Sequence, residues 1–361
     1  MTRLGRLVRD HETHTRTSTD WRAHATLGTV RFSNNDPAGA LHALDRAITL
    51  GADPDDIGMR TIRSDVLESL GRYREAAEVM HRGRLRIGET WNGEPLDGRP
   101  LVIRSHGFAG DAIRLARYVP LVRALGPGHI TLAAERPLQR LLSTVGADAV
   151  GGMPLRLDPP ILVTSDWALT YLVGGETLPT PAILWAADPV ALDLSALSTP
   201  RVGVCWASGP RTGHPVLSDK EFGRCCPVSA LTSLLDLDAS FVSLQIGPAA
   251  SERPGGLLGI DDRAGTGGAM SEWDWADTAS VVRQLDLVIT VDTGLAHLAG
   301  SLGIPTWVML PWHAASVWGV RGETTSPWYS SVRLFRCREP GSWDQVVREV
   351  GIALARGILA P

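Results

Sequence analysis

Short apolar runs separated by helical stretches constrain the fold of this chain more than any other feature. The runs form two groups, one after Pro100 (101–105, 129–134, 161–165) and one after Pro200 (201–207, 241–245, 285–292, 305–310). Helical patterns lie between them at 111–125, 137–145, 228–235, 277–284 and 295–302. Strands that are apolar on both faces belong to parallel sheets covered by helices on each side. The pattern predicts two Rossmann-like α/β domains, 99–195 and 196–361, with a cleft between them.

A helical segment precedes these domains. From 21 to 90, apolar residues recur at three- and four-residue steps, which predicts four helices. The segments 34–54 and 70–88 align at a spacing of 36 residues, with Ala40 over Ala76. Small residues at such positions suit the helix crossing of a tetratricopeptide hairpin, and a plain helical bundle is the alternative. Residues 1–20 lack apolar periodicity and predict a loose terminus.

Composition narrows the classes of function. The 361 residues are 44% hydrophobic and 20% charged, which is typical of a globular protein. A net charge of -4 provides no positive field for nucleic acid or an anionic membrane, and no apolar run is long enough to span a bilayer. Together with a polar start, this predicts a cytoplasmic protein. The four cysteines show no CxxC spacing, so we expect free thiols.

The segment 285–310, LDLVITVDTGLAHLAGSLGIPTWVML, is the most informative part of the chain. A buried strand ends, and Asp292, Thr293 and Gly294 turn directly into a helix that contains His297. Backbone N–H groups at a helix start favour an anion such as a diphosphate, and Gly294 lets the backbone approach it. His297 lies one turn into the helix, where it could donate to the anion. The alternative is an N-cap followed by a core histidine.

A second loop leads from the run 101–105 into a helix and contains Gly107, Gly110 and Asp111. It lies at the carboxyl end of a strand, so Asp111 is a candidate general base. The alternative is a helix cap with glycines for the turn. His106, beside the loop, is a further candidate acid or base, or a buried histidine at the strand end. The third glycine of a dinucleotide-binding fingerprint is missing, so NAD is not expected.

The loop after the run 201–207 supplies hydroxyl and cationic candidates for contacts to a phosphate. These donor-site candidates are Ser208, Arg211, Lys220 and Arg224, with Gln245 at the end of the run 241–245 as a further one. The alternative is a solvated loop. No Asp-x-Asp pair stands at the end of a predicted strand, and only His11 and His14 have a ligand-like spacing. We therefore expect no metal site.

These motifs resemble glycosyltransferase family 9, the ADP-heptose:lipopolysaccharide heptosyltransferases. The resemblance rests on 285–310, on the Gly110–Asp111 loop and on WASG after the strand at 201. The chain more closely resembles a bacterial group in which tetratricopeptide repeats precede this domain. This resemblance rests on the helical repeats, on WADTA (275–279) and on SPWYSSVRLFR (326–336). The resemblance implies a GT-B fold, with the acceptor mainly in the first domain, the donor mainly in the second, and a final helix that crosses back.

The resemblance also implies a function. It is an inverting glycosyltransferase that moves a heptose or hexose from a nucleoside-diphosphate sugar, with ADP as one candidate nucleotide, to a small-molecule or glycan acceptor. No metal and no separate cofactor are implied. Asp111 matches the family's proposed base, and the donor-site motif matches Asp292, Thr293, Gly294 and His297. The competing hypothesis is an inactive scaffold whose helical repeats dock a partner protein.

Overall fold

The computed structural model describes residues 3–81, 89–105, 108–152, 162–174, 178–182, 192–208, 223–260, 273–312, 316–319 and 322–358, together with Leu184 and Asp188. Within these residues, helices come first, and a five-stranded sheet and a six-stranded sheet follow. We name the three parts the helical region (3–81), the first α/β domain (89–195) and the second α/β domain (196–358). The mixed α/β fold with parallel sheets that the sequence predicted is confirmed.

The helical region comprises α1 Arg3–Thr15, α2 Trp21–Ser33, α3 Pro37–Thr49, α4 Ile57–Ser69 and α5 Tyr73–His81. The side chains of Asp20, Asp36 and Asp56 cap the starts of α2, α3 and α4 by accepting hydrogen bonds from backbone N–H groups. Ala40 and Ala76, the aligned small residues, are both buried in the core of this region. The four helices expected between 21 and 90 are present, whereas the tetratricopeptide assignment stays a prediction.

The first helix corrects the expectation of a loose terminus at 1–20. α1 packs against α2, and Arg31 of α2 pairs with Glu12 at 2.6 Å. Leu7 and Val8 of α1 are half-buried. Packing against a neighbouring helix stabilises a segment whose own apolar pattern is too weak to indicate a helix.

The first α/β domain contains a parallel sheet in the order β1-β5-β2-β3-β4. Its strands are β1 Glu89–Thr90, β2 Pro100–Arg104, β3 His129–Ala133, β4 Ala149–Gly151 and β5 Leu162–Ser165, and its helices are α6 Ala109–Leu115, α7 Val119–Arg123, α8 Arg136–Gln139 and α9 Asp166–Leu172. The helix predicted at 111–125 is divided into α6, a 3-10 turn at Ala116–Tyr118 and α7. Pro120 lies in the first turn of α7, where a missing N–H is tolerated.

The second α/β domain contains a parallel sheet in the order β11-β10-β9-β6-β7-β8. Its strands are β6 Arg201–Cys205, β7 Ser240–Ser243, β8 Leu258–Gly259, β9 Leu287–Val291, β10 Thr306–Leu310 and β11 Val332–Arg336, and its helices are α10 Val228–Leu235, α11 Trp275–Val282, α12 Gly294–Ser301 and α13 Trp343–Arg356. β9 and β10 are buried along their whole length, as the apolar runs predicted.

The expected crossing of the final helix back to the first α/β domain stays a prediction. α13 packs against α10 and against strands β10 and β11 of its own domain. Its apolar stripe, which includes Val346, Val347 and Val350, is buried in a core of second-domain residues. A separate core joins the two α/β domains and includes Ile113 of α6 and Leu298 of α12. Among the described residues, no helix is both long and apolar enough to cross a bilayer.

Candidate active site

The strand order of both sheets points to one region. Numbered from β6, the second sheet has the order 3-2-1-4-5-6, and numbered from β2, the first sheet contains 3-2-1-4 with β1 added at the edge. In such doubly wound sheets, ligands bind outside the carboxyl ends of the strands where the order reverses. The reversal lies between β2 and β5 in the first sheet and between β6 and β9 in the second. The segments that follow β2, β6 and β9 carry the predicted site residues except Gln245, which follows β7.

Helices α6 and α12 bring these two regions into direct contact. A Cβ built on Gly110 would lie 2.7 Å from His297 Cδ2 and 3.5 Å from Gly294 Cα. A Cβ on Gly294 would lie 2.8 Å from the Trp275 ring. Only glycine at both positions permits this approach. The packing places Asp111, the residue after Gly110, beside the start of α12.

Asp111 lies in the first turn of α6 with 23% of its side chain exposed. Its Oδ1 is 3.3 Å from Nη2 of Arg114, one turn further along the helix. Arg114 is buried and also donates to the carboxylate of Glu68, which comes from α4 of the helical region. Burial would lower the pKa of Arg114, but the carboxylates of Glu68 and Asp111 together raise it above its ordinary value. Arg114 is therefore a permanent cation beside the candidate base.

His297 is buried in an aromatic cage. Its ring stacks on Trp318 with centroids 4.9 Å apart, and its Nδ1 lies 3.1 Å from the hydroxyl of Tyr329. Burial, with a smaller contribution from Arg114, lowers the pKa of His297 to about 3. The imidazole is therefore neutral at physiological pH. The structure places His297 one turn from Thr293, as expected, but without the positive charge that would attract an anion.

Asp292 makes hydrogen bonds inside the protein. Its Oδ1 accepts from the Trp318 indole N–H at 2.8 Å, and its Oδ2 lies 3.2 Å from Nη1 of Arg224. Arg224 also donates to the Asp292 carbonyl, so it holds the turn between β9 and α12 at two points. Thr293 occupies the N-cap position, but its hydroxyl pairs with that of Thr290 at 3.1 Å instead of capping the helix. The first turn of α12 therefore has no side-chain cap from its N-cap residue.

The end of β6 is fixed by Gln245. The Gln245 side-chain oxygen accepts hydrogen bonds from the backbone N–H groups of Trp206 and Ala207 at 3.1 and 2.9 Å. The Gln245 side-chain nitrogen donates to the carbonyl of Ile246. This amide is buried and bonded to the backbone. A direct contact between Gln245 and a donor stays a prediction. Ser208, two residues beyond Trp206, is half-buried at the same edge of the sheet.

Four of the predicted site residues lie outside the described residues. They are His106 and Gly107, between β2 and α6 in the sequence, and Arg211 and Lys220, between β6 and α10. Their contacts stay predictions. Among the residues that are described, no group of three or more histidines, cysteines or carboxylates is arranged to hold a metal ion.

Sequence reasoning missed several residues that shape the site. Trp318 and Tyr329 enclose His297, and Trp328 lies under Arg114 at 4.3 Å from the guanidinium to the ring centre. Trp328 and Tyr329 belong to the SPWYSS segment that carried the family resemblance. The sequence therefore pointed to this segment, but it did not indicate that the two rings contact Arg114 and His297. Arg114 had a local signal, because a cation three residues after Asp111 faces it on a helix.

Comparisons with known proteins give similarities of limited strength. No family profile matches the chain. Protein FlbA of Caulobacter vibrioides is 26% identical over 380 residues, an alignment that covers 92% of this chain and 61% of FlbA. This chain therefore spans about three fifths of the length of FlbA.

The structural comparisons give matches at low identity and at TM-scores below 0.5. A family 9 glycosyl transferase from Veillonella parvula has a TM-score of 0.49 at 12% identity and covers 74% of this chain and 99% of its own. TibC, an iron-containing glycosyltransferase of enterotoxigenic E. coli, has a TM-score of 0.47 at 14% identity, over 73% and 79% of the two chains. The ADP-heptose lipopolysaccharide heptosyltransferase II of E. coli has a TM-score of 0.42 at 14% identity, over 72% and 99%. These scores do not assign a reaction or a residue role to this chain.

Proposed function

We propose that this chain is a GT-B glycosyltransferase that moves a heptose or hexose from a nucleoside-diphosphate sugar to a small-molecule or glycan acceptor, with inversion at the anomeric carbon. The observation that carries the proposal is the direct contact between α6 and α12. It brings Asp111 of one switch point beside the start of α12 at the other. The nucleotide-sugar class rests on the motif resemblance of 285–310.

On the acceptor side, Asp111 acts as the base. Its carboxylate is partly exposed and takes the proton from the acceptor hydroxyl as that oxygen attacks the anomeric carbon. The bond between the sugar and the diphosphate breaks as the new glycosidic bond forms. The Asp111 carboxylate is held in place before the acceptor binds, because Arg114 forms a hydrogen bond with it.

On the donor side, the diphosphate leaves toward the first turn of α12. The N–H groups of that turn provide a partial positive charge. Because His297 is neutral, full positive charge for the leaving group would come from one of Arg211, Lys220 or Arg224, of which Arg224 is already paired with Asp292. Such fixed electrostatic stabilisation is usually the largest contribution to catalysis, and it needs no metal ion. We therefore expect turnover to persist in a chelator.

Gly110 and Trp275 lie directly against Gly294, although Thr293 and Gly294 stay partly exposed. We expect the two α/β domains to separate for a donor to enter and to close around it afterwards. The same tight contact is the observation that favours the competing hypothesis. A chain in which this contact never opens would keep the fold, bind no nucleotide and act as a scaffold.

Ligand binding and product release separate the two hypotheses. In a thermal-shift screen, ADP, GDP and UDP and their sugars are added to the intact chain, since a ligand at 100 times its dissociation constant stabilises a fold by about 2.7 kcal/mol. The stabilising donor is then assayed for release of the nucleoside diphosphate, with and without EDTA. Asp111→Asn should bind the donor normally but turn over about 10²-fold more slowly. No stabilisation by any nucleotide would contradict the proposal and leave the scaffold.

A further inference from the structure

The helical region reaches the candidate base through a line of three charged side chains. Glu68 at the end of α4 pairs with Arg114, and Arg114 pairs with Asp111. The exposed fractions of these side chains are 6%, 2% and 23% in that order. The line therefore runs from a buried carboxylate, through a buried cation, to a partly exposed carboxylate.

Glu68 decides how strongly Arg114 acts on Asp111. Glu68 makes the closer contact with the guanidinium, and the contact to Asp111 is longer, at 3.3 Å. A carboxylate beside a cation becomes a weaker base, and a second carboxylate on the same cation offsets that effect. With Glu68 in place, Arg114 is shared between two carboxylates, and Asp111 makes the longer of the two contacts. Without Glu68, Arg114 would have a stronger hold on Asp111.

Among the described residues, the other groups around this line include Tyr118, whose pKa is raised by burial, and Glu323, which lies near Tyr73. Arg117, on the turn after α6, donates to the carbonyls of Pro179 and Trp328. Tyr73 of α5 has its pKa raised to about 12 by burial, and burial also raises the pKa of Tyr329. His297 is neutral. Beyond it, Asp292 and Arg224 pair with each other. Glu68 and Arg114 are therefore the charges on which the behaviour of Asp111 depends most directly.

The helical region is also tied to the second α/β domain at this point. The ring of Tyr73 meets that of Trp328 edge-on, with centroids 5.2 Å apart. Trp328 in turn lies under Arg114. The end of α4 and the start of α5 thus lie where the two α/β domains meet, with Glu68 in contact with the guanidinium and Tyr73 in contact with the Trp328 ring beneath it.

We propose that Glu68 is a positioning residue, through which the helical region sets the orientation and basicity of Asp111 by way of Arg114. The role of Glu68 in catalysis rests on the proposed function. The electrostatic coupling between Glu68 and Asp111 does not, because it can be measured whether or not the chain turns over a donor. A partner that moved α4 would change the base by the same route.

The test measures Asp111 directly. The carboxyl carbons of aspartate are labelled with ¹³C in the intact chain, the Asp111 signal is assigned by its loss in Asp111→Asn, and its pKa is read from a pH titration. In Glu68→Gln, the Asp111 pKa should fall by about one unit. If Glu68→Gln does not fold, Glu68→Asp is the second variant. Its shorter side chain keeps the negative charge but moves it away from Arg114, so the Asp111 pKa should fall by a smaller amount. Asp45→Asn is the control, because it breaks the Arg63–Asp45 ion pair within the same helical region.

The kinetic readout follows the same variants. Where the wild type turns over a donor, Glu68→Gln should lower kcat by about tenfold and leave the donor affinity unchanged. The acid limb of the kcat profile should move to lower pH. An unchanged Asp111 pKa in Glu68→Gln and Glu68→Asp overturns the proposal, whatever the activity. A shifted pKa in a chain without turnover supports the coupling and refutes only the proposed function.

Discussion

Arg140 of the first α/β domain holds Asp274 of the second through two parallel hydrogen bonds, each 2.7 Å long. The same guanidinium reaches Asp277 at 2.5 Å. Asp274 is the N-cap of α11, and it forms a reciprocal capping box with Asp277. Trp275, one of the two residues between them, packs against Gly294. The ion pair therefore joins the two domains next to the residue that packs against the start of α12.

Arg140→Gln should loosen this closure without unfolding either domain. The Arg140 side chain is 43% exposed, so its ion pairs contribute roughly 1 kcal/mol or less to stability, but they are the charges that bridge the domains at this point. Small-angle X-ray scattering should show a larger radius of gyration for the variant. Arg338→Gln, which removes an ion pair to Glu349 inside the second domain, should leave the radius unchanged. Equal radii for all three proteins would mean that Arg140 does not control closure.

Gly110→Ala should destabilise the fold by about 1–3 kcal/mol, because the new methyl group would lie 2.7 Å from the buried His297 ring. Chemical denaturation measures the change in the free energy of unfolding. Gly152→Ala is the matched control, since a Cβ there meets nothing within 4 Å. If Gly110→Ala is as stable as the control, α6 and α12 are not in contact in solution.

His297 should make the chain less stable at acid pH. Its pKa is about 3 in the folded chain and 6.5 in the unfolded chain, so between these values the unfolded chain binds a proton that the folded chain does not. This contribution to the free energy of unfolding is complete above pH 6.5 and falls by up to about 1.4 kcal/mol per pH unit below it. Urea unfolding at about pH 7.5 and about pH 5 should show a smaller acid loss in His297→Gln than in the wild type.

The exposed His42 on α3 supplies the control for this measurement. His42→Gln should retain the acid loss of the wild type. If His297→Gln and the wild type lose the same stability between the two pH values, His297 is protonated in the folded chain and the aromatic cage is open.

Cys225 should be the thiol that alkylating agents modify first. It is exposed, whereas Cys205, Cys226 and Cys337 are buried. Burial raises the pKa of Cys205 and of Cys337 to about 11, and it raises that of Cys226 further. Mass spectrometry after brief iodoacetamide treatment of the native chain should find one adduct, and none in Cys225→Ser. Labelling of Cys205 in the native chain would mean that the edge of β6 opens readily.

Seven of the eleven strands in the described part of the chain were predicted, because their signal is local, whereas β4 and β11 were among those not predicted. The runs that became β9 and β10 are apolar except for one threonine in each, and strands of that kind are buried on both faces. The glycine–helix starts at Gly110 and Gly294 were also identified from neighbouring residues alone. β1 and β8, with two residues each, are too short to produce a pattern.

The surroundings of the site could not be predicted in the same way. His297 meets Tyr329 from 32 residues away, and Glu68 meets Arg114 from 46 residues away. Nothing in the spacing of either pair indicates the contact, because the chain passes through several elements between them. The charge state of His297 follows from that burial, so the sequence could suggest a histidine at the site but not its neutral form.

The contact between Glu68 and Arg114 limits how this chain could be shortened or recombined. A fragment without the helical region would leave the Arg114 guanidinium at the junction of the α/β domains without the carboxylate closest to it. Removing one member of a buried ion pair typically costs about 3–5 kcal/mol, a large share of the stability of an ordinary protein. An exchange of helical regions between related chains should therefore succeed only when the incoming helix carries an acid at the position of Glu68. The helical region and the α/β domains should therefore be kept together as one structural unit.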